Sequence, residues 1–435
     1  MVRHHRIWLH IVLLATLAEA PLSAQSAGSP QAPESADENP LADAADAIAD
    51  SSTAKQYAPA LDGSGLISLN QQPRFQVFYG GSLASGWDSN LTGEPDGPSG
   101  GIFTLSPYVG IRGTTSKTNY LIQYQPTIAR NTSNAISNDT FQRATVLLSG
   151  FINPRWHWNF NAEAAHGQDS LRLITPTATV AIGETLGIAP SASQYSARAD
   201  TSTLIAGTLG FTYLKSEIES VNIMVNNSYS RVTSVGGNTA VTQASIGYNH
   251  GLSPKISLTA TGQYSISFGS IECSSFDGAF GAVWQVSKST RFEVNGGPAF
   301  SSKGCNTGEN FIVHGAFDTR LSAQSRLYLV ASRQFGVSYL GQGVWQENAS
   351  AGYQRSLSRS SSIDLNLGYS NSANISSGSY HGIFAEGSYS WMIERNVSTM
   401  LSYRYYRGNT GPGAFDGHAI IFSLVWTPNL GHLSR

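Results

Sequence analysis

Residues 155–163, RWHWNFNAE, decide the fold, because apolar and polar residues alternate there one by one. Successive side chains of a β-strand point to opposite faces, so the alternation separates an aromatic face from a polar face. Trp156 and Trp158 belong to the first face, and His157 and Glu163 belong to the second. The stretch therefore predicts a strand whose two faces meet different surroundings.

The same alternation recurs from residue 74 to residue 428. It is clearest in residues 255–266, 291–300, 362–370 and 418–426, where apolar side chains occupy every second position. A period of two residues over runs of this length is typical of β-strands. The pattern predicts an all-β body.

The connections between these runs alternate between tight turns and longer stretches rich in Gly, Asn and Ser. The tight turns fall near residues 114–117, 153–154, 214–217, 252–254, 287–289, 322–324, 356–361 and 394–396. The longer connections include residues 90–100, 131–139, 301–309 and 371–379. The runs between them number about eighteen, within the range known for outer-membrane barrels.

These features predict a closed antiparallel transmembrane β-barrel of about eighteen strands, with short periplasmic turns and long extracellular loops. A bilayer offers no hydrogen bonds to the backbone, so a membrane-spanning sheet must close on itself. A β-propeller repeats at a similar spacing, but each blade has four short strands and a signature motif that this sequence lacks. A soluble sandwich would need wider apolar faces than these.

Composition and the first residues predict an exported protein. Only 12% of the residues are charged, and the net charge of −2 comes with no basic stripe, so we expect no nucleic-acid partner. Residues 1–24 have the basic start and apolar run of a signal peptide. We expect residues 25–72 to be a disordered periplasmic linker, residues 73–428 the barrel and residues 429–435 a tail. The predicted location is the cell outer membrane.

The alternation also predicts which side chains face lipid and which line the pore. We expect aromatic girdles at the two membrane interfaces, formed by Trp87, Tyr108, Trp156, Trp284, Trp345, Trp391 and Trp426. The predicted pore-lining charged residues are Arg74, Arg112, His157, Glu163, Lys255, Arg291, Glu293, Asp318, Arg320, Asp364, Glu386 and Arg404. Both signs are mixed, so no single-sign ring is expected, and many of these charges could simply pair across neighbouring strands.

One connection, residues 167–200, is much longer than the others and unusually apolar. Its apolar residues include Leu171, Leu173, Ile174, Val180 and Ile182. A loop in water would not carry so many apolar side chains, so we expect this one to fold into the barrel and narrow it. By count it follows the fifth strand, and in this it resembles the constriction loop of general porins.

The chain has two cysteines, Cys273 and Cys305, in consecutive long connections. Exported proteins commonly pair their cysteines, so a disulfide between these two is expected, with two free thiols as the alternative.

No pattern of residues predicts catalysis, a cofactor or a metal. Residues 97–101 match the G-x-S-x-G motif, but they lie in a Gly/Pro loop and not between a strand and a helix. His157, Glu163 and His166 lie on one predicted strand and could bind a metal only with help from a neighbouring strand. We therefore expect no catalytic residues, no cofactor and no metal.

Four segments near the start of the barrel resemble a known family. Residues 78–81 (FYGG), 86–90 (GWDSN), 105–108 (LSPY) and 120–124 (YLIQY) are similar to those of a porin family of Gram-negative outer membranes. The resemblance rests on an aromatic-Asp-x-Asn element after the first strand and on a Ser-Pro pair in the second. It implies a channel associated with exopolysaccharide systems, without catalytic residues.

The sequence therefore favours a passive channel for small polar solutes or saccharides. Its expected partners are outer-membrane lipid and the barrel-insertion machinery, and the sequence does not predict an oligomeric state. Two alternatives stay open: a barrel enzyme that acts on envelope lipid or glycan, and a plugged barrel with a structural or assembly role.

Overall fold

A computed structural model describes residues 75–91, 95–133, 140–168, 201–232, 237–269, 272–302, 309–337, 343–374, 378–410 and 413–428. Their regular structure consists of eighteen β-strands. Within these ranges no helix is long and apolar enough to cross a bilayer.

The strands follow one another along the chain without a crossover. The first nine are β1 (Gln76–Asp88), β2 (Gly100–Thr114), β3 (Thr118–Asn131), β4 (Thr140–Asn153), β5 (Trp156–Gln168), β6 (Thr201–Ser216), β7 (Glu219–Val232), β8 (Gly237–Ser253) and β9 (Ile256–Phe268). The last nine are β10 (Cys273–Ser287), β11 (Thr290–Ser301), β12 (Glu309–Ser322), β13 (Ser325–Val337), β14 (Gly343–Ser356), β15 (Ser361–Asn374), β16 (Gly378–Glu394), β17 (Val397–Thr410) and β18 (Gly413–Trp426).

Each strand pairs with the next in antiparallel fashion, and β18 pairs back onto β1. The sheet is therefore a closed up-and-down barrel in which every strand has two hydrogen-bonded neighbours. The predicted fold class and the predicted number of strands are confirmed.

The strand registers set the size of the barrel. When directly paired residues are followed from strand to strand once around the barrel, the path returns to β1 about 22 residues away from the residue where it started. With ordinary strand dimensions, this stagger tilts the strands by about 40° and gives a backbone radius of about 18 Å. A wall of this radius is wide enough to enclose an aqueous channel.

The tight turns lie where the sequence predicts them, and one device recurs in them. A Ser, Thr or Asn side chain at the start of the turn accepts backbone N–H groups two and three residues ahead. Asn153 Oδ1 lies 2.9 Å from the amide of Arg155 and 3.1 Å from that of Trp156. Ser253 Oγ lies 3.2 Å from the amide of Lys255 and 3.1 Å from that of Ile256. These residues fix the turns locally, which is why the sequence marks them so clearly.

At the other end of the barrel the strands run further than the sequence pattern suggests. Residues 371–379 were expected to form a loop, but β15 continues to Asn374 and β16 begins at Gly378. The extension follows from backbone pairing, because the ladder between these strands persists as far as Asn374 and Gly378 although the side chains there are small and polar.

Candidate functional site: the inner wall of the barrel

The barrel has an inner and an outer face that differ in packing and in chemistry. Along β2, inward Ile102, Thr104 and Ser106 are buried, whereas outward Phe103 and Leu105 are exposed. Side chains crowd together inside a closed cylinder and splay apart outside it, which assigns the buried set to the interior. Directly paired residues lie on the same face, so the strand registers extend this assignment around the ring.

The outer face is an apolar belt. Its exposed side chains include Val77, Leu83, Val109, Ile122, Ile205, Ile223, Val225, Ile246, Leu258, Phe280, Val294, Leu329, Leu365, Leu367, Leu401, Ile420 and Phe422. So large an exposed apolar surface is not compatible with water on all sides, and it matches the lipid-facing band of a transmembrane barrel.

Aromatic pairs cover the outer face near the tight turns. The ring centroids of Trp156 and Tyr213 are 4.8 Å apart, and those of Tyr79 and Trp426 are 5.8 Å apart. Trp391 stacks on Tyr389, two residues earlier on the same strand, with 5.4 Å between the ring centroids. Amphipathic rings at this level are typical of a membrane interface.

The girdle assignment was wrong for Tyr108, and Trp345 is also buried, at 8% exposure. Tyr108 is directly paired with Gly80 on the inner face and is only 7% exposed. Its ring packs 6.1 Å from that of Phe78, and its hydroxyl fills the space that a Cβ at Gly80 would occupy. Pro107 and Val109, on either side of it, take the outward positions, so Tyr108 must face inward.

Most of the predicted pore-lining residues lie on inward positions of the strands. These are Arg112, His157, Glu163, Arg291, Glu293, Asp318, Arg320, Asp364, Glu386 and Arg404. Lys255 does not belong to the wall, because the structure places it in the turn between β8 and β9. A turn residue continues the alternation in the sequence without sharing the orientation of the strand. Arg74 lies outside the described residues.

Many inward charges are paired. Arg143 Nε lies 2.7 Å from Glu163 Oε1. Arg404 is 5% exposed, and its Nη2 and Nε lie 2.8 Å and 3.1 Å from Glu386 Oε2. A guanidinium that meets a carboxylate in this way forms the strong, charge-assisted class of hydrogen bond. These pairs lower the net charge that a solute in the barrel would meet.

A denser group of charges lies on β11, β12 and β13 near the tight turns. Arg326 binds Asp318 with both Nε and Nη2, and the Nε–Oδ1 distance is 2.9 Å. Arg291 Nη2 lies 3.0 Å from Glu293 Oε2. Arg320 is exposed and directly opposite Arg326, and it forms no ion pair within the described part of the chain. Among the described residues, Arg320 is therefore the inward cation most available to a passing solute.

The sequence reasoning missed four inward charged residues, namely Asp88, Arg143, Asp277 and Arg326. The alternation of β13 could have revealed Arg326, because it precedes the outward Leu327. Arg143 was hidden because the inward face of β4 also carries Leu147, which obscures the phase.

The inward face of β6 to β9 carries no charged residue at any described position. Hydroxyl and amide side chains dominate it, and they include Thr208, Asn222, Asn226, Ser228, Gln243, Thr259, Thr261, Gln263 and Ser265. Asn226 Nδ2 donates to Gln243 Oε1 at 3.0 Å within this surface. We call it the uncharged wall.

The aromatic-Asp-x-Asn element forms a contact across the closure of the barrel. Asp88 Oδ1 accepts hydrogen bonds of 2.7 Å from the amide of Asn90 and from the hydroxyl of Tyr406. The same hydroxyl lies 2.7 Å from the carbonyl oxygen of Asn90. We call Asp88, Asn90 and Tyr406 the seam clasp. It joins β1 to β17 at the end of the barrel opposite the tight turns.

The remaining predicted residues are placed only in part. Cys273 is disulfide-bonded and begins β10, whereas Cys305, the chain's other cysteine, lies outside the described residues. The predicted constriction residues Leu171, Leu173, Ile174, Val180 and Ile182 also lie outside them.

The three candidate metal ligands do not converge. His157 and Glu163 face inward, whereas His166 faces outward and lies 2.8 Å from Thr203 Oγ1. Across the described ranges, no group of three or more His, Cys, Asp or Glu side chains is arranged to hold a metal.

No protein-family model matches the chain, and no curated protein sequence matches it. Among solved structures, it is similar to OpdQ of Pseudomonas aeruginosa, with 7% identity, a TM-score of 0.45, and coverage of 83% of this chain and 100% of that chain. For OccAB4 of Acinetobacter baumannii the identity is 8% and the TM-score 0.46, with the same coverage. The siderophore receptor PirA of Pseudomonas aeruginosa matches at 8% identity and a TM-score of 0.44, over 82% of this chain and 81% of that one.

Proposed function

We propose that the protein is an outer-membrane channel for the passive passage of small neutral polar solutes, with saccharides as the main class. The observation that carries this proposal is the uncharged wall on β6 to β9. Rows of hydroxyl and amide groups can exchange hydrogen bonds with sugar hydroxyls without favouring an ion of either sign.

The charged part of the inner wall supports the same proposal. Its arginines are largely matched by carboxylates, as in the Arg143–Glu163 and Arg404–Glu386 pairs. Paired charges create a weaker field in the lumen than a ring of one sign, so ion selectivity should be low. The backbone radius of about 18 Å leaves room for hydrated solutes between the walls.

The apolar belt supports the proposed location. A barrel whose exterior has a charge-free, apolar middle band is suited to a lipid bilayer, and closed barrels of this kind belong to outer membranes. The link to exopolysaccharide export rests on the family resemblance of residues 78–124 alone, and it is the finer part of the proposal.

The test is a planar-bilayer recording of the purified barrel combined with a thiol-accessibility scan. Thr261 is an exposed inward residue of the uncharged wall, and the adjacent Ala260 faces outward. A charged, water-soluble thiol reagent should label Thr261→Cys and reduce its conductance, and should leave Ala260→Cys unaffected. Failure of the barrel to conduct, or equal labelling of the two variants, would contradict the proposal.

Solute class is tested by swelling of liposomes that contain the barrel. Neutral mono- and disaccharides should enter, and the reversal potential in a salt gradient should stay close to zero. Strong selectivity for cations or for anions would argue against a saccharide channel and for an ion-selective channel. Hydrolysis of lipopolysaccharide or phospholipid by the non-conducting barrel would favour the enzyme instead.

A further inference from the structure

Charged residues on the outer face are confined to its two ends. In the middle of the apolar belt, the outward positions of the described strands carry no Asp, Glu, Lys or Arg. Side chains such as Val225, Leu365 and Phe422 occupy this level instead. The outward charges therefore lie at the levels of the two membrane interfaces.

At the level opposite the tight turns, the outward titratable residues are mostly basic. We call this set the basic collar, and it consists of Arg130, His166, Arg231, Arg333, His381, Arg407 and His418. When the strand registers and the tilt are taken into account, its members fall within about 10 Å of one height. Glu347 and Asp416 are outward carboxylates at that level, and Glu309, the first residue of β12, occupies a third outward position there.

Three of the collar arginines have no carboxylate within ion-pair distance among the described residues, although Arg407 is directly opposite Asp416 in the ladder. Arg130, Arg231 and Arg407 are exposed, and none of them forms an ion pair with any described residue. Among the described residues, the Arg130 guanidinium donates only to the carbonyl of Ala129, at 3.2 Å. At one membrane interface, three guanidinium groups thus have N–H donors that contact no carboxylate of the described residues.

A fourth arginine shows how the collar holds such a group in place. The Arg333 guanidinium lies 4.5 Å from the ring centroid of Phe311 and 5.5 Å from that of Trp345. Its Nη1 lies 3.2 Å from Glu347 Oε1. Aromatic faces and an adjacent carboxylate fix the plane of this guanidinium at the level where hydrocarbon meets headgroups.

We propose that the basic collar binds the phosphate groups of lipid headgroups in the outer leaflet. A collar on the lipid-facing surface can reach only membrane components, and the planar fork of arginine matches the geometry of phosphate. Each basic side chain near an anionic membrane surface adds to the attraction. The inference rests on the proposed outer-membrane location, which makes the end opposite the tight turns extracellular.

The test compares two triple variants of the full chain in a neutral detergent. Arg130→Gln, Arg231→Gln and Arg407→Gln together remove the unpaired collar charges. Lys117→Gln, Arg155→Gln and Lys288→Gln together remove the same charge from three tight turns at the other end. The probe is lipid A with two phosphates, and its dephosphorylated form serves as the ligand control; binding is measured by native mass spectrometry.

The collar triple should weaken lipid A binding by about tenfold or more, and the turn triple should leave it unchanged. Dephosphorylated lipid A should bind all forms weakly. Equal losses in both triples, no loss in either, or equal binding of the dephosphorylated lipid would overturn the proposal. Displacement of lipid A by equimolar inorganic phosphate would also overturn it, since the site would then recognise the free ion.

Conductance separates this proposal from the channel function. The collar triple should conduct like the unmodified barrel, because its substitutions face away from the lumen. A barrel that binds lipid A through the collar and does not conduct would refute the channel and leave the collar in place.

Discussion

The hydroxyl of Tyr406 donates a 2.7 Å hydrogen bond to the carboxylate of Asp88, a residue 318 positions earlier in the chain. Asp88 is fully buried, so its carboxylate has no water to replace that donor. The bond ties the first strand to the last hairpin, next to the contact where the barrel closes.

Tyr406→Phe should therefore destabilise the closed barrel by about 1–3 kcal/mol, because it removes one hydroxyl from a buried carboxylate. The measurement is the urea concentration or the temperature at which the compact barrel unfolds, followed by its gel mobility. Tyr405→Phe is the matched control, since Tyr405 faces outward on the same strand. Equal stability of the two variants would show that the seam clasp contributes nothing.

The buried Arg404–Glu386 pair should respond to single and double substitution in opposite ways. Arg404→Met alone leaves Glu386 without its partner and should cost about 3–5 kcal/mol of unfolding free energy. The double variant Arg404→Met, Glu386→Leu should regain most of that loss, because it no longer leaves a carboxylate at position 386 without its partner. The free energies of unfolding of the four proteins in the cycle decide the matter, and additive losses would contradict the prediction.

Adjacent residues of β7 should differ sharply in their tolerance of a charge. Ile223 is an outward residue that is 43% exposed, and Asn222 is an exposed inward residue. Ile223→Arg should destabilise the barrel in lipid vesicles by about 2–4 kcal/mol, whereas Asn222→Arg should be nearly neutral, since only the first charge meets hydrocarbon. Folding titrations in vesicles measure both, and a tolerated Ile223→Arg would argue against the lipid-facing assignment.

Deletion of residues 170–193 should raise the single-channel conductance. The reason is the apolar composition of this segment, which favours packing inside the barrel over exposure to water. A similar deletion in the loop between β1 and β2 is not a suitable control, because Asn90 there belongs to the seam clasp. Removal of residues 304–307 would also remove Cys305, so residues 338–341 are the better control. Unchanged conductance after the longer deletion would refute the constriction.

The alternation of residues 155–163 and the side-chain-capped turns were enough to predict the fold, because both act over a few residues. The phase of a single strand is a local property too, and it placed Glu163, Arg291 and Arg404 on the inner face. It failed at Lys255, which lies in the turn just before β9 begins. It also failed at Tyr108, which was assigned to a girdle as an aromatic residue, whereas the outward Pro107 and Val109 on either side of it make it face inward.

Contacts between distant strands could not be predicted in this way. The sequence marks Asp88 and Asn90 as a motif, but nothing in it indicates that Tyr406 completes the cluster. The uncharged wall likewise appears only when the registers of four strands are aligned, since each strand alone contains a few polar residues of no special kind.

The closure between β1 and β18 spans Gly81 to Asp88 on the first strand, whereas the pairing of β1 with β2 starts already at Gln76. The pairing of β1 with β18 is therefore shorter than its pairing with β2. Residues 76–80 are paired with β2 alone. Under mechanical load we expect β1 to separate from β18 first, while β1 stays paired with β2. Force applied to the two ends of the chain would then open the cylinder into a flat sheet before any tight turn yields.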